Sequence, residues 1–265
     1  MITTPITTSD ALQSRRIRRL LPTSASSAEL AELAPEILEH SVFSARNIYA
    51  DVLAEIDTSL QQVMSGDLDQ ASMRGAMRKA LKATGYDPEA HGITPGSLTD
   101  LSSMRRLNLV IDMQTKQAAG YIQFAQANDP LELDLYPCWE FVRHATRIKE
   151  RSDWPERFVR AGGHLTNGRM IARKDDPVWA SLSVFGIPYA PFDYGSGMGL
   201  DPVPREECQA LGLITSREIP KPQSRDFNKD VVASVSSDIS QALRGELESV
   251  FGPIIDGQVT LRGAA

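Results

Sequence analysis

Two adjacent carboxylates, Asp175 and Asp176, head the segment Lys174 to Met198, KDDPVWASLSVFGIPYAPFDYGSGM. Neighbouring carboxylates can bind a divalent ion or share a proton. The same pair before a proline more often caps a helix or holds a turn. The segment carries three prolines and three glycines in 25 positions and follows neither a helical nor a strand period. Around it lie Arg143, Arg147, Arg151, Arg157, Arg160, Arg169 and Arg173. Internal Arg–Asp pairing is the simpler expectation for that surplus of guanidinium groups, and phosphate contact is the competing one.

Other chemistries find less support. Tyr194-Gly195-Ser196-Gly197 approaches a nucleophile elbow but lacks the first glycine and precedes no helix. GSGMG (Gly195 to Gly199) has the glycines of a phosphate loop, yet Asp201-Pro202 follows where a helix should open. The four histidines, His40, His91, His144 and His164, are scattered, and with Cys138 they match no ligand spacing. Cys138 and Cys208 form no CxxC and are expected as reduced thiols. No catalytic constellation, metal or other cofactor, or small-molecule substrate is predicted.

The elements that would position these residues differ between the two halves. From Ser44 to Met64 apolar residues recur at helical spacing and Gly66 supplies a stop. A second helix starts at the N-cap Asp69, and a long third runs from about Asp100 to the break at Asn128-Asp129-Pro130. Beyond it, Leu135 to Ala145 has the composition of a strand, Trp154-Pro155 opens a short helix, and Arg169 to Ala172 makes a brief strand. Pro204 to Leu211 is a short helix and residues 216–228 a linker. A terminal amphipathic helix carries Val231, Val235, Ile239, Leu243, Leu247 and Val250. Its apolar stripe has two uses, packing within the chain or binding a partner groove. The expected fold is therefore α+β: a helical N-terminal half, a small mixed α/β C-terminal core with short strands, and a terminal amphipathic helix. The expected regions are 1–100, 101–215 and 216–265.

At 265 residues, 42% hydrophobic and 23% charged, the chain has an ordinary globular composition. A net charge of −6 argues against a protein that coats nucleic acid over its whole surface, though a local basic patch is compatible with it. The one dense basic run is RRIRR: Arg15, Arg16, Arg18 and Arg19 flank Ile17. It reads as a solvated helical face or as an arm touching phosphate or an acidic partner, within a loosely ordered stretch of residues 1–27. The N-terminus lacks an apolar signal-peptide core, and no run of about 18 apolar residues suits a membrane span. The expected setting is a cytoplasm, or a particle assembled there.

The order of features resembles a known family. A helical front led by Phe43-Ser44-Ala45-Arg46 precedes a long helix, RLNLVIDMQTKQAAGY (Arg106 to Tyr121), and a strand, Tyr136 to Val142. Arginine and tryptophan positions, a Gly-Gly turn, DDPVW (Asp175 to Trp179), a Pro/Gly-rich aromatic segment and a helix ending in ALGL (Ala210 to Leu213) follow. This layout, over roughly residues 40–215, resembles the Mu-type (F-like) minor head proteins of tailed phages, the head-morphogenesis family. The chain would be a divergent branch, since PFDYGSGM stands where many relatives carry paired cysteines, and no thiol or metal role is carried over. The resemblance implies a structural, non-enzymatic component of the virion, near the portal or inside the head, assembled in the host cytoplasm. Implied partners are the portal protein and capsid components, with DNA contact a property of some members. Under it, Arg143, Arg147, Trp154, Arg157, Asp175, Asp176, Trp179, Phe192 and Asp193 form a docking or structural motif. A neck connector, or a metal-dependent nuclease using Asp175 and Asp176, is the alternative.

Overall fold

The structure is a computed structural model that describes residues 18–146, 150–223 and 229–263. Arg15, Arg16 and Arg147 lie outside these described residues. The fold is α+β. It divides into two compact units at 115/116 and 225/226, so the C-terminal segment belongs with the N-terminal one. The regions expected from the sequence break instead at 100/101 and 215/216.

The discontinuous unit begins with β1 (Arg19–Leu20), α1 (Ser27–Ala31), α2 (Pro35–Glu39) and β2 (Ser41–Val42), with β1 and β2 parallel. Ser26 and Glu29 form a reciprocal capping box on α1: Glu29 N donates to Ser26 Oγ and Ser26 N to Glu29 Oε2. Residues 18–26 depart from the expectation of a loose stretch. Leu21 and Thr23 are fully buried, because Arg19 N, Leu21 N and Thr23 N find carbonyls at His40, Val42 and Asn47. Next come α3 (Ala50–Ser65), ended by left-handed Gly66, and α4 (Gln70–Ala83), capped by Asp69, whose Oδ1 accepts from Ser72 N at 2.8 Å. The apolar spacing places the start of α3 near Ser44, six residues too early. The start of α5 (Met104–Ala127) lends Leu107, Val110 and Ile111 to the core that α3 and α4 build with Val52, Leu53, Ile56, Leu60, Met73 and Met77.

The continuous unit takes the second part of α5, then α6 (Pro130–Leu135), β3 (Cys138–Arg143), α7 (Trp154–Arg160), β4 (Leu165–Thr166), β5 (Arg169–Arg173), α8 (Val178–Leu182), β6 (Met198–Val203) and α9 (Arg205–Ala210). Its sheet is antiparallel, in the order β4-β5-β3-β6. Asn167-Gly168, both at positive φ, join β4 to β5 in a two-residue turn of the type I′ kind. Alternation along β3 separates two cores. Trp139 and Phe141 face Trp154, Phe158, Trp179 and Phe192, whereas Cys138 joins Ile171, Val203, Cys208 and Ile214.

The terminal segment contradicts the expected single helix. Val231–Ser234 is a strand, β7, and the helix α10 spans only Gln241–Phe251, before a second strand, β8 (Gln258–Leu261). Val231 and Val235 fit a helical spacing, but Ala233 and Val235 also alternate, and they bury as Val259 and Leu261 do. Pairing with β8 decides between the two periods. The stripe residues Leu243 and Leu247 are buried within the chain. Glu246 accepts from Thr23 Oγ1 at 2.6 Å and from Ser24 N and Oγ at 2.8 Å each.

Gly120 and Gly75 make a test of packing. A Cβ on Gly120 would collide with the Ala190 carbonyl oxygen, beside the cis Ala190-Pro191 bond, whereas one on exposed Gly75 meets nothing within 4 Å. Gly75→Ala should raise stability by about 0.5–1 kcal/mol, the ordinary helical preference for alanine. Gly120→Ala should lower it by about 1–3 kcal/mol through overpacking against backbone. Urea midpoints of the two variants, shifting in opposite directions, check this.

Candidate functional site

The aspartate pair leaves β5 directly. Arg173 chelates Asp175 through Nε–Oδ1 at 2.9 Å and Nη2–Oδ2 at 3.1 Å, and Lys221 N donates to Oδ2 at 2.8 Å. Burial pulls the Asp175 carboxyl up, but the Arg173 guanidinium and the Lys221 N–H outweigh it and hold it below the usual carboxylate range. Arg173 also reaches Glu218 at 3.3 Å. Asp176 turns the other way: its Oδ1 accepts from Val178 N at 2.8 Å and starts α8. Trp179, fully buried one turn on, donates Nε1–H to the Arg173 carbonyl at 2.7 Å. The pair therefore ends a strand and begins a helix, with the two carboxylates on different donors.

The aromatic part of the segment closes the same core. Phe192 is fully buried and meets Phe141 edge-to-face at 4.9 Å, and Phe141 meets Trp154 at 5.1 Å. Arg157 lies 4.1 Å over the Trp154 ring. Asp193 takes two guanidinium groups, Arg151 at 2.7 Å and Arg157 at 2.9 Å. Arg143 ties the start of this layer to its end, donating to the carbonyls of Ser196 and Arg151, with Glu150 3.5 Å away. Gly195 and Gly197 have positive φ, and Ser196 Oγ accepts from Met198 N. GSGMG is thus a turn feeding a strand.

On the sheet's other face Arg169 grips Glu140 through two contacts, at 2.8 and 2.6 Å, and Glu207 at 2.5 Å. His144 meets Asp201 at 2.8 Å on the surface. Of the basic run, Arg18 is buried, and Arg19 donates to the Val250 carbonyl at 3.0 Å, at the C-terminal end of α10. Among the described residues no three His, Cys, Asp or Glu groups come together in a way that could hold a metal ion.

Two features have no signal in sequence spacing. Cys138 and Cys208, 70 positions apart, meet in one buried cluster, where the hydrogen bond to Cys208 and then burial push the Cys138 thiol up. Lys174 is buried, its ammonium 4.6 Å over the Trp139 ring and donating to the carbonyls of Ala127 and Glu132 at 3.2 and 3.3 Å. Burial pushes this lysine down to about 8, with Glu132 opposing the shift. Asp193 belongs to the motif expected from the sequence, together with its partner Arg157; its second partner, Arg151, does not.

Two outcomes follow for stability. Asp193→Asn leaves two guanidinium groups without their carboxylate and should cost about 1–3 kcal/mol, whereas Asp201→Asn, in an exposed pair, should cost under about 1 kcal/mol. Their urea midpoints give the comparison. Lys174 has a folded pKa of about 8 against its ordinary 10.5, so between these values the unfolded chain holds a proton that the folded chain has lost. Stability from this group therefore rises with pH across 8 to 10.5, by up to about 3 kcal/mol. Unfolding at about pH 7.5 and about pH 10 should show that rise in the wild type and a flatter response in Lys174→Met.

Comparison of the chain with family models, curated proteins and solved structures finds none that matches.

Proposed function

We propose that the chain is a structural minor head protein of a tailed phage, one that associates with the portal and capsid components during head morphogenesis and contacts packaged DNA. The observation that carries the reading is the condition of the Asp175 to Met198 segment. Its carboxylates are consumed by Arg173, Val178 N, Arg151 and Arg157, and its large aromatics are packed inward. Such a segment serves as rigid architecture, and a rigid scaffold suits docking because little conformational entropy remains to be lost on binding. In this reading the protein performs no catalysis and needs no cofactor. It acts in the virion, at the portal or in the head interior, after assembly in the host cytoplasm. No helix among the described residues is long and apolar enough to cross a membrane. The sequence layout from Phe43 to Leu213 adds the family resemblance.

Purification of the tagged protein from cells expressing the surrounding structural genes tests the reading. Portal protein should accompany it in the absence of DNA. A closed ring of fixed stoichiometry would point to a neck connector instead. Absence of every head component, together with magnesium- or manganese-dependent DNA cleavage abolished by Asp175→Asn, would replace the reading with a nuclease.

A further inference from the structure

The last turn of α7 and the end of α8 border an open pocket of about 430 Å³. Its polar lining is Arg157, Arg160, Ser181 and Ser183, backed by Ala161 and Leu182, and no carboxylate lines it. Arg157 is held in place by one Nη on Asp193 and by Trp154 beneath its plane. Asp193 is already shared with Arg151, so two guanidinium groups meet a single negative charge. Arg160 has no ion-pair or hydrogen-bond partner among the described residues, and Glu156, one turn earlier on α7, does not reach it. Ser183 is only 6% exposed; its Oγ accepts from Phe185 N at 3.2 Å, and its own O–H has no acceptor among the described residues. Because Ser183 lines the open pocket, that hydroxyl proton is available to an acceptor bound there.

The lining side chains thus offer donors and a net positive charge. A planar carboxylate presents its acceptor lone pairs in a single plane. A tetrahedral oxyanion presents acceptors in several directions, which matches two arginines on one helix and two hydroxyls at the end of another, Ser181 within α8 and Ser183 just past it. The volume exceeds what a bare anion needs and leaves room for an attached group. We propose that this pocket binds the phosphate group of a small phosphate monoester. The inference does not depend on the phage reading: it concerns a small ligand, whereas that reading concerns head proteins and DNA.

Calorimetric titration of the full chain at low salt, with inorganic phosphate and separately with a nucleoside monophosphate, tests it. Saturable binding with Kd below about 1 mM is expected, weakening as salt is raised. Arg160→Gln should weaken it at least about tenfold and Ser183→Ala about threefold or more, while circular dichroism shows both variants folded. Tryptophan emission should change on binding, since Arg157 stacks on Trp154. Binding of the monoester alone, or of both probes, supports the pocket and tells whether an organic group is required. No saturable binding of either probe up to about 10 mM overturns the proposal. So does equal binding by wild type and both variants. Binding of a single-stranded oligonucleotide or a glutamate-rich peptide, with neither phosphate probe bound, overturns it as well.

Discussion

A carboxylate withdrawn from water must be given positive partners, and in the continuous unit that demand organises nearly everything. Asp175 and Asp193 are each largely sheltered, and each is answered by arginine: Arg173 for the first, Arg151 and Arg157 for the second. These pairs fix both ends of a segment with too little regular structure to hold itself. Between them the chain rests on aromatic rings, with Trp179 and Phe192 as the fully buried anchors. Removing a charge from such a set strands its partner, which is why the pairs act as position markers more than as sources of net stability.

The sheet makes that arrangement possible. Because side chains alternate along β3, one strand supplies Trp139 and Phe141 to the aromatic layer and Cys138 and Glu140 to the opposite face. Arg169 and Arg173, at the two ends of β5, both emerge on the latter face, where Glu140, Glu207, Asp175 and Glu218 take them up. Lys174, the next residue, turns to the aromatic side and lies over Trp139. The basic side chains at 169, 173 and 174 are therefore spent inside the unit, and Arg160 on α7 keeps its guanidinium free of such pairing.

Much of this architecture is legible in the amino-acid order alone. Asp69, Gly66, Pro155 and the Asn128-Asp129-Pro130 break mark helix ends with local chemistry, and local chemistry is what a sequence carries. Val231 and Val235 mislead because two periods share those positions, and the choice lies with a partner strand about 30 residues away. Residues 18–26 mislead for the same kind of reason: a two-residue parallel pairing with Ser41–Val42 has no periodic signature. At the site, the residue types are visible but the pairings are not. Nothing in the spacing says that Asp193 belongs to Arg151 and Arg157, or that Cys138 meets Cys208, since those contacts exist only once β3, β5 and β6 are in register. The turn Asn167-Gly168 is a different case, a signal present but overlooked, because that dipeptide between short apolar runs announces a hairpin.

The carboxylate of Glu246 and the groups it receives from Thr23 and Ser24 are separated by more than 220 positions of chain. Residues 116–225, with a core of their own, fall between them. At about 5–20 residues per second, a ribosome needs about 10–45 seconds to travel from one partner to the other. The inserted unit can close its antiparallel sheet during that interval, since its most distant strand pair, β3 with β6, joins Cys138 to Val203. Thr23 and Ser24 lack the Glu246 carboxylate until α10 has been made, although His40, Val42 and Asn47 are already there to take the N–H groups of residues 19, 21 and 23. The contacts that join the two separated stretches of the discontinuous unit therefore cannot form before α10 has been made, whereas the core of α3, α4 and the start of α5 draws only on residues 42–111.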